Sequence, residues 1–217
     1  MDALPFADVF GLTAALVNIE SESFNEQEIV GLLESELRSC GHLTVDRVGD
    51  NLIARTMLGR ARRLILGGHT DTVPVNENLP ARIEGSRLFG CGSTDMKGGV
   101  AIMLELARTV TDPAVDVTYV FYAREEVAAL HNGLREIEAE RPELLEGDVA
   151  LLGEPTLGAL EAGCQGTLRV KVTMAGARAH TARPWMGRNA IHRLGEVLAV
   201  PLYDRQQFLH VGRGKDA

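Results

Sequence analysis

The residues best suited to chemistry stand where short apolar runs end. Leu64-Ile-Leu-Gly-Gly68 leads into His69-Thr-Asp71, Thr118-Tyr-Val-Phe-Tyr-Ala123 leads through Arg124 into Glu125-Glu126, and Val149-Ala-Leu-Leu-Gly153 leads into Glu154. A further carboxylate, Asp95, sits in Gly90-Cys-Gly-Ser-Thr-Asp-Met-Lys-Gly-Gly99, a glycine-rich entry to a helix. In His69-Thr-Asp71 the acid can orient and polarise the imidazole through its second nitrogen, which fixes the tautomer and raises ligand basicity. One imidazole and several carboxylates gathered at one edge are the donors that a hydrolytic zinc site requires. Each acid also has a plain structural role open to it. Asp95 alone reads equally well as a helix cap, Glu125-Glu126 as a solvated pair, and Glu154 as an ordinary loop residue. Their joint placement at strand and helix ends favours the metal-site reading.

The elements that must position these groups follow from periodicity. Pro5–Ile19 carries an apolar stripe at helical spacing, and so does Glu26–Arg38, with Ser23-Phe-Asn25 as its cap and Gly41 past its end. Leu43–Val48 and Asn51–Thr56 read as strands joined by Gly49-Asp50, and Arg63–Leu66 as a short buried strand. Ala81–Phe89 contains a turn signal at Glu84-Gly-Ser86. Gly98–Val110 reads as a helix whose small and apolar residues could pack on both sides, followed by strand 115–123, helix 130–140 and strand 149–152. Alternation of this kind predicts an α/β fold with a central mixed, largely parallel sheet flanked by helices. In such a sheet, chemistry collects outside the carboxyl ends of the strands. The pattern changes near Gly163: Thr167–Thr173 alternates like a half-exposed strand and Asn189–Val200 reads as a helix. Residues 1–165 are therefore expected to form one domain and 166–217 the beginning of a smaller α+β domain, off-pattern after about 199. His180, in Gly176-Ala-Arg-Ala-His-Thr-Ala-Arg-Pro184, falls in a loop of that second region.

Bulk properties narrow the classes. A formal net charge of −8 argues against a nucleic-acid backbone as partner. Cys40, Cys91 and Cys164 are odd in number and widely spaced, unlike a disulfide framework. The N-terminus lacks a basic and apolar leader pattern, and no apolar run approaches the roughly 18 residues of a membrane span. A soluble cytoplasmic protein with no membrane partner is the expectation.

Taken in order, Gly-Gly-His69-Thr-Asp71-Thr-Val-Pro, Gly90-Cys-Gly-Ser-Thr-Asp95-Met-Lys-Gly-Gly, Glu125-Glu126, Gly153-Glu154-Pro-Thr and Gly176-x-x-x-His180-Thr-Ala-x-Pro resemble the zinc-dependent aminoacylase, carboxypeptidase and desuccinylase family of metallohydrolases. The resemblance covers about residues 5–199 and is nearest to the actinobacterial desuccinylase branch, through Asp71–Pro80, Gly163–Val170 and Ala179–His192. It implies a zinc-exopeptidase-like catalytic domain followed by part of a lid and dimerisation domain. It also implies two Zn2+ ions, with Co2+ as a possible substitute. Asp95 would bridge them, His69 and Glu154 would complete one ligand set, and Glu126 would bind the other ion. Asp71 would orient His69, Glu125 would act as general base, and His180, from the lid of the opposite subunit of a homodimer, would stabilise the oxyanion. The implied substrate is a small N-acyl amino acid. The implied reaction is hydrolysis of N-succinyl-LL-2,6-diaminopimelate to LL-2,6-diaminopimelate and succinate. Deacylation of N-acetylornithine or another N-acyl amino acid is the alternative, and a non-catalytic remnant is the alternative from another class. The family's last zinc ligand, a histidine near its C-terminus, has no counterpart in His192 or His210, so a C-terminally truncated homologue is the expectation.

Overall fold

The computed structural model describes residues 8–162 and 171–199. The chain divides into two compact units, Met1–Glu161 and Ala162–Ala217.

In the first unit the order is α1 (Val9–Val17), α2 (Gln27–Ser39), β1 (Thr44–Val48), β2 (Asn51–Arg55), β3 (Arg63–His69), β4 (Arg82–Glu84), β5 (Arg87–Phe89), α3 (Lys97–Thr109), β6 (Asp116–Tyr122), α4 (Gly133–Glu140) and β7 (Val149–Leu152). Five strands form one mixed sheet in the order β1-β2-β6-β3-β7, and β4 and β5 pair as a separate hairpin. β1–β2 and β2–β6 are antiparallel, whereas β3 runs parallel to both β6 and β7. The register sets His69 opposite Tyr122 and Gly67 opposite Leu152. Three parallel strands thus finish at the same edge, so the loops that leave them start side by side.

Alternation along the central strands feeds two cores. Leu52, Ala54, Val117, Tyr119 and Phe121 pack with α1, α2 and α3 on one face of the sheet. Ile53, Val120 and Tyr122 pack with Ile137 of α4 and with Leu144 on the other. All seven residues of β6 are buried, which explains its near-continuous apolar sequence. Asp116, at the start of that strand, accepts hydrogen bonds from Thr56 Oγ1 (2.8 Å) and from the N–H groups of Leu58 (2.9 Å) and Arg60 (2.8 Å). Burial alone would raise its pKa, but those bonds, with Arg63 nearby, hold it below the usual carboxylate range. The carboxylate thereby ties down the turn that leads into β3.

Several boundaries differ from the sequence expectation. Asp8 caps α1 through a bond from the Gly11 N–H, so that helix starts at Val9, and residues 5–7 of the expected helix lie outside the described residues. No side chain caps α2, whose N-cap residue is Glu26, and Ser23 bonds instead to Asp71. A 3-10 turn at Ala129–His131 precedes α4, which Asn132 caps. One face of α3 packs through Val100, Ala101, Met103, Leu104 and Ala107, while Ile102 and Leu106 stay exposed. In the second unit Ala177 and Arg188 form an isolated antiparallel bridge around a 3-10 turn, Pro184–Met186. The helix expected over 189–200 resolves into two single turns, α5 (Ala190–Arg193) and α6 (Gly195–Leu198), with Leu194 between them, and residue 200 lies outside the described residues. Of the strand expected at 167–173, residues 167–170 lie outside the described residues, and 171–173 are not in a strand.

Candidate metal centre

Strand ends bring the first group together. His69, the last residue of β3, is buried, and its ring is held from both sides. Nδ1 lies 3.0 Å from the Asp71 backbone carbonyl and 3.4 Å from Asp71 Oδ1. Both are acceptors, so the proton belongs on Nδ1 and Nε2 faces outward, 3.0 Å from Asp95 Oδ1. His69 Nε2 and one oxygen each of Asp95 and Glu126 can lie within 4.8 Å of one another, as ligands of one ion would.

Asp71 organises more than the histidine. It is fully buried, and its Oδ2 accepts from Ser23 Oγ at 2.7 Å and from the Glu126 N–H at 3.1 Å. Oδ1 accepts from the Glu125 N–H at 2.9 Å. Burial would raise its pKa, but His69, Ser23 and the two amides together hold it below the usual range. One carboxylate therefore fixes the imidazole tautomer and also the loop that carries both glutamates.

Asp95 reaches the cluster because the glycines around it make room for Met96. The Met96 side chain is fully buried, and its Sδ accepts from the His69 N–H at 3.2 Å. A Cβ on Gly68 or Gly99 would stand 2.7 Å from Met96 Cε, and one on Gly99 would also stand 2.5 Å from the Gly153 carbonyl oxygen. The close approach of α3 to the end of β7 brings Glu154 beside Asp95. Asp95 itself is not a cap: α3 begins after Met96 without a side-chain cap bond, and the Asp95 side chain is 52% exposed. Lys97 is buried behind it and donates to the Ile19 carbonyl at 2.6 Å, which anchors α3 to the segment after α1. Burial lowers its pKa to about 8.

The electrostatics mark a place for a cation. Burial alone would lower the His69 pKa, but hydrogen bonds to Asp71 and Asp95 raise it to about 9. Burial and the Asp95 charge raise the Glu126 carboxyl, and burial raises Glu154, where the opposing pull of His69 is offset by Asp95 and Glu125. Without a metal the crowded acids are relieved only by protons on themselves and on His69. A divalent ion would take the place of those protons, and the N/O donor set suits zinc or a similar first-row metal. Glu125 is exposed beside this cluster, and Glu154 is half-buried. His180 lies in the second unit, exposed, with Nδ1 accepting from the Ala182 N–H at 3.1 Å, so its Nε2 carries the proton as a donor.

Two residues of the site were not singled out from the sequence. Ser23, in the expected cap of α2, bonds instead to Asp71, and Glu26, the first residue of the expected helix, is fully buried, with Oε1 accepting from the Arg124 N–H at 3.2 Å. Their spacing, Ser23-x-x-Glu26, is that of a capping box. A tertiary role shares that signature, so sequence alone could not separate the two.

Residues 65–199 match the profile described as Peptidase family M20/M25/M40, and the chain belongs to that family. A Mycobacterium tuberculosis protein provisionally named succinyl-diaminopimelate desuccinylase is 52% identical over 192 residues, covering 88% of this chain and 54% of the relative. A Corynebacterium glutamicum protein named succinyl-diaminopimelate desuccinylase is 46% identical over 204 residues, covering 90% of this chain and 55% of its own length. The chain spans about half the length of these curated relatives. A solved Staphylococcus aureus tripeptidase superposes with a TM-score of 0.61 at 20% identity, over 92% of this chain and 57% of that one, and so shares the fold. No helix among the described residues is long and apolar enough to cross a membrane.

Proposed function

We propose that the chain carries the metal-binding and proton-transfer residues of a zinc-dependent amidohydrolase of the succinyl-diaminopimelate desuccinylase type. The reaction is hydrolysis of N-succinyl-LL-2,6-diaminopimelate to LL-2,6-diaminopimelate and succinate. The observation that carries this reading is the Asp71 carboxylate, which binds the His69 ring on one side and the Glu125 and Glu126 amides on the other. The relatives named as desuccinylases supply the substrate.

His69, Asp95 and Glu154 would hold one Zn2+, and Asp95 and Glu126 the second, with Co2+ able to substitute. When bound, the metals would supply Lewis-acid polarisation of the amide carbonyl and ionisation of water near neutral pH. Asp71 keeps the His69 proton on Nδ1, which reserves Nε2 as a donor of electrons. Glu125, exposed at the cluster and anchored by its own N–H, takes a proton from water and returns it to the leaving amine. His180 supplies an N–H to the developing oxyanion, a role assigned from its motif and from the proton on Nε2. The first unit corresponds to a catalytic domain and the second to part of a lid that contributes His180 in a homodimer, in the cytoplasm.

The test is parallel hydrolysis of N-succinyl-LL-2,6-diaminopimelate and N-acetylornithine by the purified chain with zinc. Succinate release, reduced roughly 100- to 10,000-fold in Glu125→Gln while zinc stays bound, is the expected result. Preferential acetate release would overturn the substrate assignment. Turnover unchanged in Glu125→Gln would overturn the base. Retained zinc without hydrolysis of either substrate would favour a metal-binding chain that is not itself catalytic.

A further inference from the structure

Arg124 turns the chain out of β6 and into Glu125-Glu126, and it does so with φ of 61°. That left-handed backbone is uncommon for a residue with a long side chain. Something must hold it, and three successive N–H groups show what does. Those of Glu125 and Glu126 point at Asp71, and that of Arg124 points at Glu26 Oε1. Consecutive amides around a left-handed residue form a concave nest that attracts negative charge; here two carboxylates of the same chain fill it. The Arg124 side chain braces the turn further, donating from Nε to the His131 carbonyl at 3.0 Å and pairing with Glu136.

Glu26 is an unusual choice for its position. It is fully buried, and among the described residues its Oε2 has no hydrogen-bond partner. Burial raises its pKa against the opposing pull of the Phe24 and Glu26 backbone amides, with the nearby Asp71 charge adding to the rise. It does not cap α2 with its side chain, so the helix does not account for it. Burying a half-satisfied carboxyl is destabilising unless it holds something in place. We infer that Glu26 is a positioning residue: by gripping the Arg124 N–H it fixes the left-handed turn that aims Glu125 and Glu126. This rests on the reading of those two glutamates as base and metal ligand.

The experiment is amide hydrogen exchange of the metal-free 217-residue chain, comparing wild type with Glu26→Gln, Glu26→Met and the double variant Glu26→Met/Arg124→Gly. Methionine fills the buried space without an acceptor, and glutamine keeps one. In Glu26→Met the Glu125 and Glu126 amides should exchange on the order of tenfold faster, with the amides of β3 and β6 unchanged. Glu26→Gln should retain protection. Arg124→Gly should restore it in the double variant, because glycine adopts positive φ without steric cost, and the double variant also decides the matter if Glu26→Met is unstable. Zinc retention should follow the same order. A purely structural role in α2 would not be rescued by a change at Arg124. Protection unaltered in Glu26→Met, or no recovery in the double variant, would overturn the inference. Failure of the wild-type chain to bind zinc would instead count against the metal reading, since the exchange test needs no metal.

Discussion

Replacing Asp71 with asparagine keeps the shape of the most heavily used carboxylate and turns one of its oxygens into a donor. The structure shows which orientation the amide must take. If nitrogen occupies the Oδ1 position, the Glu125 N–H loses its acceptor, and the His69 Nδ1 proton, still bonded to the Asp71 backbone carbonyl, faces a second donor. If it occupies the Oδ2 position, the Ser23 hydroxyl can turn to accept, and only the Glu126 N–H is left facing a donor. The second arrangement is less costly. It forfeits one hydrogen bond to a charged group in a buried setting, about 1.5–3 kcal/mol. At about 2–4 °C per kcal/mol for a chain of this size, the melting temperature of the metal-free protein should fall by roughly 3–12 °C. The imidazole also loses the negative charge behind Nδ1, and such a loss typically weakens metal binding about 10- to 100-fold. Calorimetry on the metal-free variant and zinc competition against a chromophoric chelator measure the two effects separately. A melting temperature within about 1 °C of wild type, with unchanged zinc affinity, would refute the claim that Asp71 joins the two halves of the site.

Other perturbations probe different parts of the arrangement. Gly99→Ala places a Cβ 2.5 Å from the Gly153 carbonyl oxygen, a separation that real Cβ atoms essentially never show, so α3 and β7 must part. The expected cost is about 1–3 kcal/mol in urea unfolding, with weaker zinc retention as Glu154 is carried from Asp95; wild-type stability would mean the close approach is not needed. The pH dependence of the metal-free chain has a definite sign. His69 has its folded pKa raised from 6.5 to about 9, so its contribution is fully present below pH 6.5 and is lost as pH rises toward 9. Lys97, held down to about 8, acts oppositely above that pH, so the clean interval is 6.5 to 8. Urea midpoints should decline across that interval in wild type and less in His69→Asn; equal slopes would contradict the assignment. Zinc retention should rise over the same interval, because the His69 proton must leave for the metal to bind.

Strand identity was legible wherever burial acts on both faces or on alternate residues. The apolar run that became β6 and the Gly49-Asp50 turn between β1 and β2 are examples, since hydrophobic period and turn chemistry are local properties. The convergence of His69, Glu126 and Glu154 was also foreseeable, because parallel strands place their following loops at one edge, and Asp95 joins them from the glycine-rich entry to α3. What could not be read was the support behind them. Ser23 and Glu26 lie about 50 and 100 residues from their partners, Asp71 and Arg124, and their spacing imitates a helix cap. The role of Met96 was equally hidden: a glycine-rich segment signals close approach without saying which side chain occupies the space. In the second unit the expected helix over 189–200 was broken at Leu194, next to Gly195, whose backbone entropy weakens a helix interior.

The most direct test of the central claim is zinc content per chain after dialysis, by elemental analysis of wild type beside His69→Ala. About one zinc or more per wild-type chain, lost in His69→Ala, is expected of a site whose tightest donor set includes that imidazole. Zinc absent from the wild-type protein, or retained equally by His69→Ala, would contradict the placement of a metal beside His69 and Asp95.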